Sequence, residues 1–260
     1  MILSLKNITI SFAKGKDSFK VLNELNLNVE NGKITALIGG NGAGKTTLFN
    51  IISGFQKYYS GDVFFKGKSI KNLSPSQRAN KGIGRLFQSK GLFPNLTLLE
   101  NMKLATEDVS GETPFAFLVN KKKINKIEDE KKQKAIEILN KIFGKNNQYV
   151  EKLDELGSSF SYGEQRILAL ARLFMGNYSL LLLDEPTAGT NIAYLETIKQ
   201  IIKEMVANGT TVLLVEHNIP FVSEVADYCA FVSNGKIEMQ GTTNELINNQ
   251  EVKNSYLGIK

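Results

Sequence analysis

The chain has 260 residues, 42% of them hydrophobic and 22% charged, with one cysteine and one histidine. This is ordinary globular composition, sized for one large α/β domain with room for an inserted subdomain, and it excludes a low-complexity chain. A single cysteine excludes an internal disulfide and a cysteine-built zinc site, and no apolar run approaches the roughly 20 residues that a spanning helix needs.

The N-terminus MILSLKNITI lacks the charged start and small-residue cleavage site of a signal peptide. A cytoplasmic chain is therefore expected, with any membrane role borrowed from a partner. Net charge is +6 and the sequence pI about 9.1. Much of the excess lies in KKKINKIEDEKKQK at 121–134. A basic cluster can mark nucleic-acid binding. Here acids interrupt the lysines and apolar residues follow at helical spacing, so a solvated helix face is expected and no nucleic-acid partner. Cys229, in the apolar run DYCAFV, is expected to be a buried strand residue.

In chain order, LSLKNITISF at 3–12 alternates like a half-exposed antiparallel strand, and KITALIG at 33–39 reads as a buried strand. TTLFNIISG at 46–54 predicts a helix stopped by Gly54, DVFFKGKSI at 62–70 a strand and turn near a sheet edge, and GIGRLFQ at 82–88 a buried strand. From Ser89 the period changes. Residues 95–105 and 133–143 have helical spacing, with Ala135, Ile138, Leu139, Ile142 and Phe143 on one face. The sheet resumes with SLLLLDEP at 179–186, a helix at 193–207, TTVLLVEHN at 210–218, and a hairpin over 230–241 turning at Asn234-Gly235. The fold class is α/β: a phosphate-loop core (1–88 and 179–260) with a mostly parallel sheet and N-terminal antiparallel strands, into which a helical subdomain (89–178) is inserted.

GGNGAGKT at 39–46 matches G-x-x-x-x-G-K-[ST] between an apolar strand and a helix. Backbone N–H groups around Gly39, Asn41, Gly42 and Gly44 can wrap phosphates, and the helix N-terminus adds its positive dipole end. Lys45 would reach the β- and γ-phosphates of a nucleoside triphosphate, Thr46 would ligate Mg²⁺, and Thr47 would contact the α-phosphate. A leucine run then carries Asp184 toward the Mg²⁺ shell, with Glu185 beside it as the carboxylate that accepts a proton from attacking water. His217 ends a strand, where parallel sheets place ligand groups, and could hold the γ-phosphate and that water. Gln88 ends another strand, and its amide could touch Mg²⁺ or water.

FSYGEQRILALARL at 160–173 resembles the signature sequence of ATP-binding cassette proteins, usually L-S-G-G-Q. Ser161 and Gly163 match, while Phe160, Tyr162 and Glu164 depart from it. The ordered set of phosphate loop, Gln88, signature, Asp184-Glu185 and His217 resembles that family over nearly the whole chain. The resemblance implies ATP as the nucleotide and a head-to-tail dimer, in which Ser161 and Gly163 of one cassette contact the γ-phosphate held by the other. It also implies that Phe12 stacks on adenine, with simple core packing as the alternative for that ring. Thr190-Asn191 replaces the usual Leu-Asp of the interface loop. Tyr162, Asn191, EHN at 216–218, LFPNLTLLEN at 92–101 and SYLG at 255–258 look like ATPases of branched-chain amino acid uptake, which work with a separate membrane permease. Urea-type uptake, lipopolysaccharide-export and iron–sulfur-assembly ATPases share parts of the pattern. Cassettes acting on DNA or ribosomes carry zinc cysteines, long coiled coils or two cassettes per chain, none of which is present.

Overall fold

The computed structural model describes residues 1–14, 17–57, 59–88, 91–106 and 121–257. Parts of the inserted 89–178 segment, and Gly258 of the SYLG tail, lie outside the described residues. The first elements are β1 (Leu3–Lys14), β2 (Asp17–Val29), β3 (Ile34–Ile38), α1 (Lys45–Ser53), β4 (Ser60–Phe65), β5 (Lys68–Ser69), α2 (Pro75–Asn80) and β6 (Ile83–Leu86). Helices α3 (Leu98–Lys103), α4 (Lys121–Phe143), α5 (Gln148–Glu151) and α6 (Tyr162–Arg172) follow. The last are β7 (Leu180–Asp184), α7 (Leu195–Ala207), β8 (Thr211–Val215), α8 (Ile219–Val225), β9 (Tyr228–Ser233), β10 (Lys236–Thr242), α9 (Thr243–Asn248) and α10 (Gln250–Leu257).

The chain divides into two compact units, one of Met1–Gln88, Tyr178–Ala188 and Ile202–Lys260, the other of Ser89–Asn177 and Gly189–Ile201. The first holds both sheets, an antiparallel one in the order β2-β1-β4-β5 and a six-stranded one in the order β10-β9-β3-β8-β7-β6. Within the latter, β9-β3-β8-β7-β6 run parallel and β10 antiparallel. ITALI, LLLLD and TVLLV are buried at every position, as strands covered on both faces must be. The β9–β10 hairpin turns at Asn234 (φ 48°) and Gly235 (φ 74°), the left-handed pair that a two-residue turn requires.

Strand β2 has no clean alternation in the sequence, and the register explains why. Asn7 (φ 52°) and Glu24 (φ 51°) are left-handed, and the β1–β2 pairing shifts between Leu5 and Ile8 and again before Ile10. These bulges put Leu22 and Leu25, three apart, on the same buried side as Leu27 and Val29. Leu48, Phe49, Ile51 and Ile52 of α1 join β1, β2 and the parallel strands in one core. The C-terminus of α1 is fastened by buried Arg78, whose guanidinium donates to Ile51 O at 2.5 Å, Ile52 O at 2.9 Å, Lys71 O and Leu73 O. A cation there satisfies carbonyls that the helix leaves open and complements its dipole.

The second unit is helical, and its described residues hold no strand. Helix α4 starts at Lys121, twelve residues before the spacing signal, with Ala135, Ile138 and Leu139 buried as predicted and Ile142 and Phe143 half-buried. Two of its acids are paired: Glu128 with Lys103 and Lys131, Glu130 with Lys126. Asn101 is fully buried and knits the 93–97 loop to α3, accepting from Phe93 N at 2.7 Å and donating to Phe93 O, Leu96 O and Thr97 O.

One boundary is corrected. Residues 189–201, expected in the core, belong with the helical unit, and Tyr178 belongs with the sheets. The reason is close packing: a Cβ on Gly163 would lie 2.4 Å from the Tyr194 ring, and one on Gly189 would lie 3.0 Å from Tyr162. Asn191 caps the short 3₁₀ turn between these contacts, accepting from Ala193 N at 3.2 Å. Among the described residues no helix is long and apolar enough to cross a membrane.

Candidate nucleotide site

Parallel pairing brings the candidate residues to one edge of the first unit. Leu37 is in register with Val215, Val215 with Asp184, and Leu183 with Leu86. Gly39, His217, Glu185 and Gln88 each follow within two residues of these partners, at the C-terminal ends where such sheets bind ligands.

The loop between β3 and α1 is closed from behind by side chains and backbone. A Cβ on Gly39 would meet Val232 O at 2.2 Å, and one on Gly44 (φ 99°) would meet Leu22 Cδ2 at 2.5 Å. Cβ atoms on Gly40 and Gly42 would meet nothing within 4 Å. The loop is thus pinned on one side and open on the other. Helix α1 has no side-chain cap at Gly44, so Lys45, Thr46 and Thr47 present first-turn N–H groups to the open side. Lys45 is 6% exposed, and its Nζ donates to Gly39 O at 2.7 Å and Gly40 O at 2.8 Å. Burial lowers its pKa, opposed by the charges of Glu185 and Asp184.

Asp184 is 2% exposed and forms a buried ion pair with Arg85 NH2 at 3.1 Å. Arg85 also donates to Asn50 Oδ1 and Ser53 Oγ of α1 and lies 4.5 Å from the Phe87 ring centroid. Burial pushes the guanidinium pKa down, with Asp184 opposing. Sequence reasoning missed Arg85. A cation inside a buried strand was its only signal, since such a charge needs a buried partner.

Glu185 has a left-handed backbone (φ 47°), rare for a residue with a side chain and concentrated at functional positions. Its carboxylate lies between two others of the candidate residues. Gln88 Nε2 donates to Oε2 at 2.6 Å, and His217 Nε2 lies 3.2 Å from Oε1. Lys45, Thr46, Thr47, Glu185, His217 and Phe19 line one groove of about 320 Å³, with Asn41, Gly42 and Gly44 on its wall. An adjoining groove runs from Gly40–Ala43 to Phe231–Gly235, again with Phe19.

Phe12 is not among these lining residues. It pairs with Phe19 across the β1–β2 ladder, ring centroids 6.4 Å apart, and Phe19 is the half-exposed member beside the phosphate loop. Two aromatics stand in FAKGKDSF, and the resemblance named only one of them. Ser161 and Gly163 lie in the helical unit, at the start of α6, where Ser161 Oγ donates to Glu164 Oε2 at 2.7 Å.

The donor set fits a Mg²⁺–polyphosphate. The cradle that Cβ atoms on Gly40 and Gly42 would fill suits phosphate oxygens, and Thr46, Asp184 and Gln88 offer oxygen ligands. Among the described residues no cluster of three His, Cys, Asp or Glu side chains could hold a metal alone. Mg²⁺ needs no such cage, since substrate phosphates and water complete its shell.

A parallel sheet whose strand ends carry a phosphate loop, paired carboxylates and a histidine defines a phosphate-loop nucleotide-binding protein. The family model described as ABC transporter matches residues 22–188. The chain belongs to that family, as an ABC-type ATPase. It is 35% identical to a probable branched-chain amino acid transport ATP-binding protein of Archaeoglobus fulgidus, over 99% of this chain and 95% of that one. It is 33% identical to a lipopolysaccharide export system ATP-binding protein of Haemophilus influenzae, over 99% of this chain and 97% of that one. A crystal structure of the ADP conformation of an ATP-binding cassette of an ABC transporter superposes with a TM-score of 0.81 at 31% identity, covering 99% and 98% of the two chains. A dimeric cassette in a post-hydrolysis state, bound to ADP and Pi, superposes at 0.75 with 25% identity, covering 93% and 99%.

Proposed function

We propose that this chain hydrolyses ATP in a head-to-tail dimer of cassettes and powers a separate membrane permease for uptake of branched-chain or related amino acids. One observation supports the catalytic reading most: the Glu185 carboxylate is held between the Gln88 amide and the His217 imidazole at the mouth of the phosphate loop. There Glu185 takes the proton of the attacking water while His217 and Gln88 hold that water in line. Lys45 neutralises β- and γ-phosphate charge, and Thr47 binds the α-phosphate. Thr46, Asp184 and Gln88 would hold Mg²⁺, which when bound neutralises charge on phosphate oxygens. Ser161 and Gly163 cap the partner cassette's nucleotide. Phe12 and Phe19 together offer adenine an aromatic edge. The chain then works in the cytoplasm, on the inner membrane face, through its permease.

The cargo reading rests on the relatives' names and on Tyr162, Asn191 and the SYLG tail. Affinity capture should recover an integral membrane permease. Deleting the gene in a strain without a redundant system should abolish leucine, isoleucine and valine uptake at low external concentration. Unchanged uptake with an intact permease would overturn the cargo assignment in favour of lipid export or urea-type uptake.

A further inference from the structure

Glu216 has no role in the chemistry above, yet it is 2% exposed in the strand-to-loop corner directly before His217. Its two oxygens receive four donors. Oε1 accepts from Thr187 N at 2.8 Å and Thr187 Oγ1 at 2.7 Å, and Oε2 accepts from His217 N at 3.0 Å and Asn218 N at 3.4 Å. Thr187 stands two residues after Glu185, in the turn closed by Ala188 N donating to Glu185 O at 3.1 Å. One buried carboxylate therefore ties the turn that carries Glu185 to the loop that carries His217.

An ionised carboxylate is acceptor-only, with about four lone-pair sites, and here each site meets a donor. Burying such a group is tolerated because all of them are filled, and charge-assisted bonds are the short, directional kind that fix a position. We infer that Glu216 is a positioning residue for ATP hydrolysis, setting the spacing of His217 against Glu185 by clamping both loops to one carboxylate. The inference rests on the roles assigned above to Glu185 and His217.

Glu216→Gln keeps the shape and loses the clamp. An amide has one acceptor atom, so its NH₂ must face either the Thr187 N–H or the His217 and Asn218 N–H groups. In the full-length protein, kcat for ATP should fall about 100-fold, the scale of a reacting group displaced by roughly 1 Å. KM for ATP should hold within about twofold, because the phosphate loop is untouched. Thr187→Val, which removes one donor of the four, should lower kcat about tenfold. Amide exchange in the 185–188 and 216–218 segments should quicken in both variants, a readout independent of turnover. The deciding measurement is the cycle with His217→Ala. If Glu216 acts through His217, adding Glu216→Gln to His217→Ala should cost little more. Full multiplication of the two losses, or a wild-type kcat in Glu216→Gln, would overturn the inference. A wild-type kcat in His217→Ala alone would instead overturn the role of His217 on which it rests.

Discussion

Two helix N-termini in this molecule solve the same problem in opposite ways. Helix α1 begins at left-handed Gly44 with no side-chain cap, behind glycines that leave one side of the loop open. Helix α6 begins at Ser161 in a complete capping box: Glu164 N donates to Ser161 Oγ, while Ser161 N donates to Glu164 Oε2 at 2.9 Å. In the first, first-turn donors and dipole stay available to an outside anion. In the second, the protein's own carboxylate already answers them. The start of α6 supplies its own anion, whereas the loop before α1 leaves its first-turn donors open.

The sharpest way to break this contrast is to remove the charges around α1. Glu185→Gln should slow ATP hydrolysis about 10²–10⁴-fold while ATP affinity holds, because a proton acceptor is lost and no phosphate contact is. Single-turnover hydrolysis beside equilibrium nucleotide binding reads both, and wild-type turnover would remove Glu185 from the chemistry. Lys45→Ala should behave differently, losing binding itself. Arg85→Ala comes next. It strands buried Asp184 without its guanidinium, and breaking a buried pair by removing one partner costs about 3–5 kcal/mol. Chemical denaturation should register that loss, and a change below about 1 kcal/mol would mean the pair contributes little. The ion pair between Lys103 and Glu128 of the helical unit, with side chains 21% and 46% exposed, is the surface counterpart and should be nearly silent.

Much of this contrast is legible in the sequence. The strands β3, β7 and β8 announced themselves as apolar runs, and the phosphate loop, Asp184, Glu185 and His217 by spacing and order. The bulged β2 hid because left-handed Glu24 breaks the period of two on which strand reading depends. Helices α2 and α9 hid because they are only six residues long, yet both carry the box that marks their starts, Ser74 with Gln77 and Thr242 with Glu245. Arg85 and Glu216 hid for another reason. Their meaning depends on partners 99 and 29 residues away, and no local pattern shows which charges a sheet brings together.

A smaller effect separates the units by pH. Tyr149 sits in the helical unit against Phe143 and Phe160, ring centroids 4.6 and 6.3 Å away. Burial, with the nearby charge of Glu164 second, pushes its phenol up to about 12. A raised folded-state pKa means that the folded chain keeps a proton the unfolded chain gives up. The stabilisation is whole below the unfolded value near pH 10 and is lost as pH rises toward 12. Across that window the wild type should lose on the order of 2 kcal/mol more stability than Tyr149→Phe. Denaturation curves of the two at pH 9 to 12 check it. Parallel pH dependence would show that the phenol is solvated in solution.

The finest test concerns the carboxylate at the start of α6. Glu164→Gln preserves the box, since glutamine serves at that position as glutamate does. It removes one negative charge within 2.7 Å of the Ser161 hydroxyl. Two opposed consequences follow. The helix loses a favourable interaction with its dipole, about 0.3–1 kcal/mol, so Tm should drop by about 1–3 °C. A nucleotide presented by a second cassette, however, meets one less like charge at Ser161. ATP-dependent dimerisation should tighten by up to about fivefold, the same energy read as an equilibrium. Because Ser161 is exposed and Glu164 half-buried, the gain should shrink as salt rises from low ionic strength toward 0.5 M. Sedimentation of the full-length chain with ATP, in the Glu185→Gln background that slows turnover, measures it. If Glu164→Gln weakens the dimer instead, the charge is part of the contact surface, and the two helix N-termini differ in more than who supplies the anion.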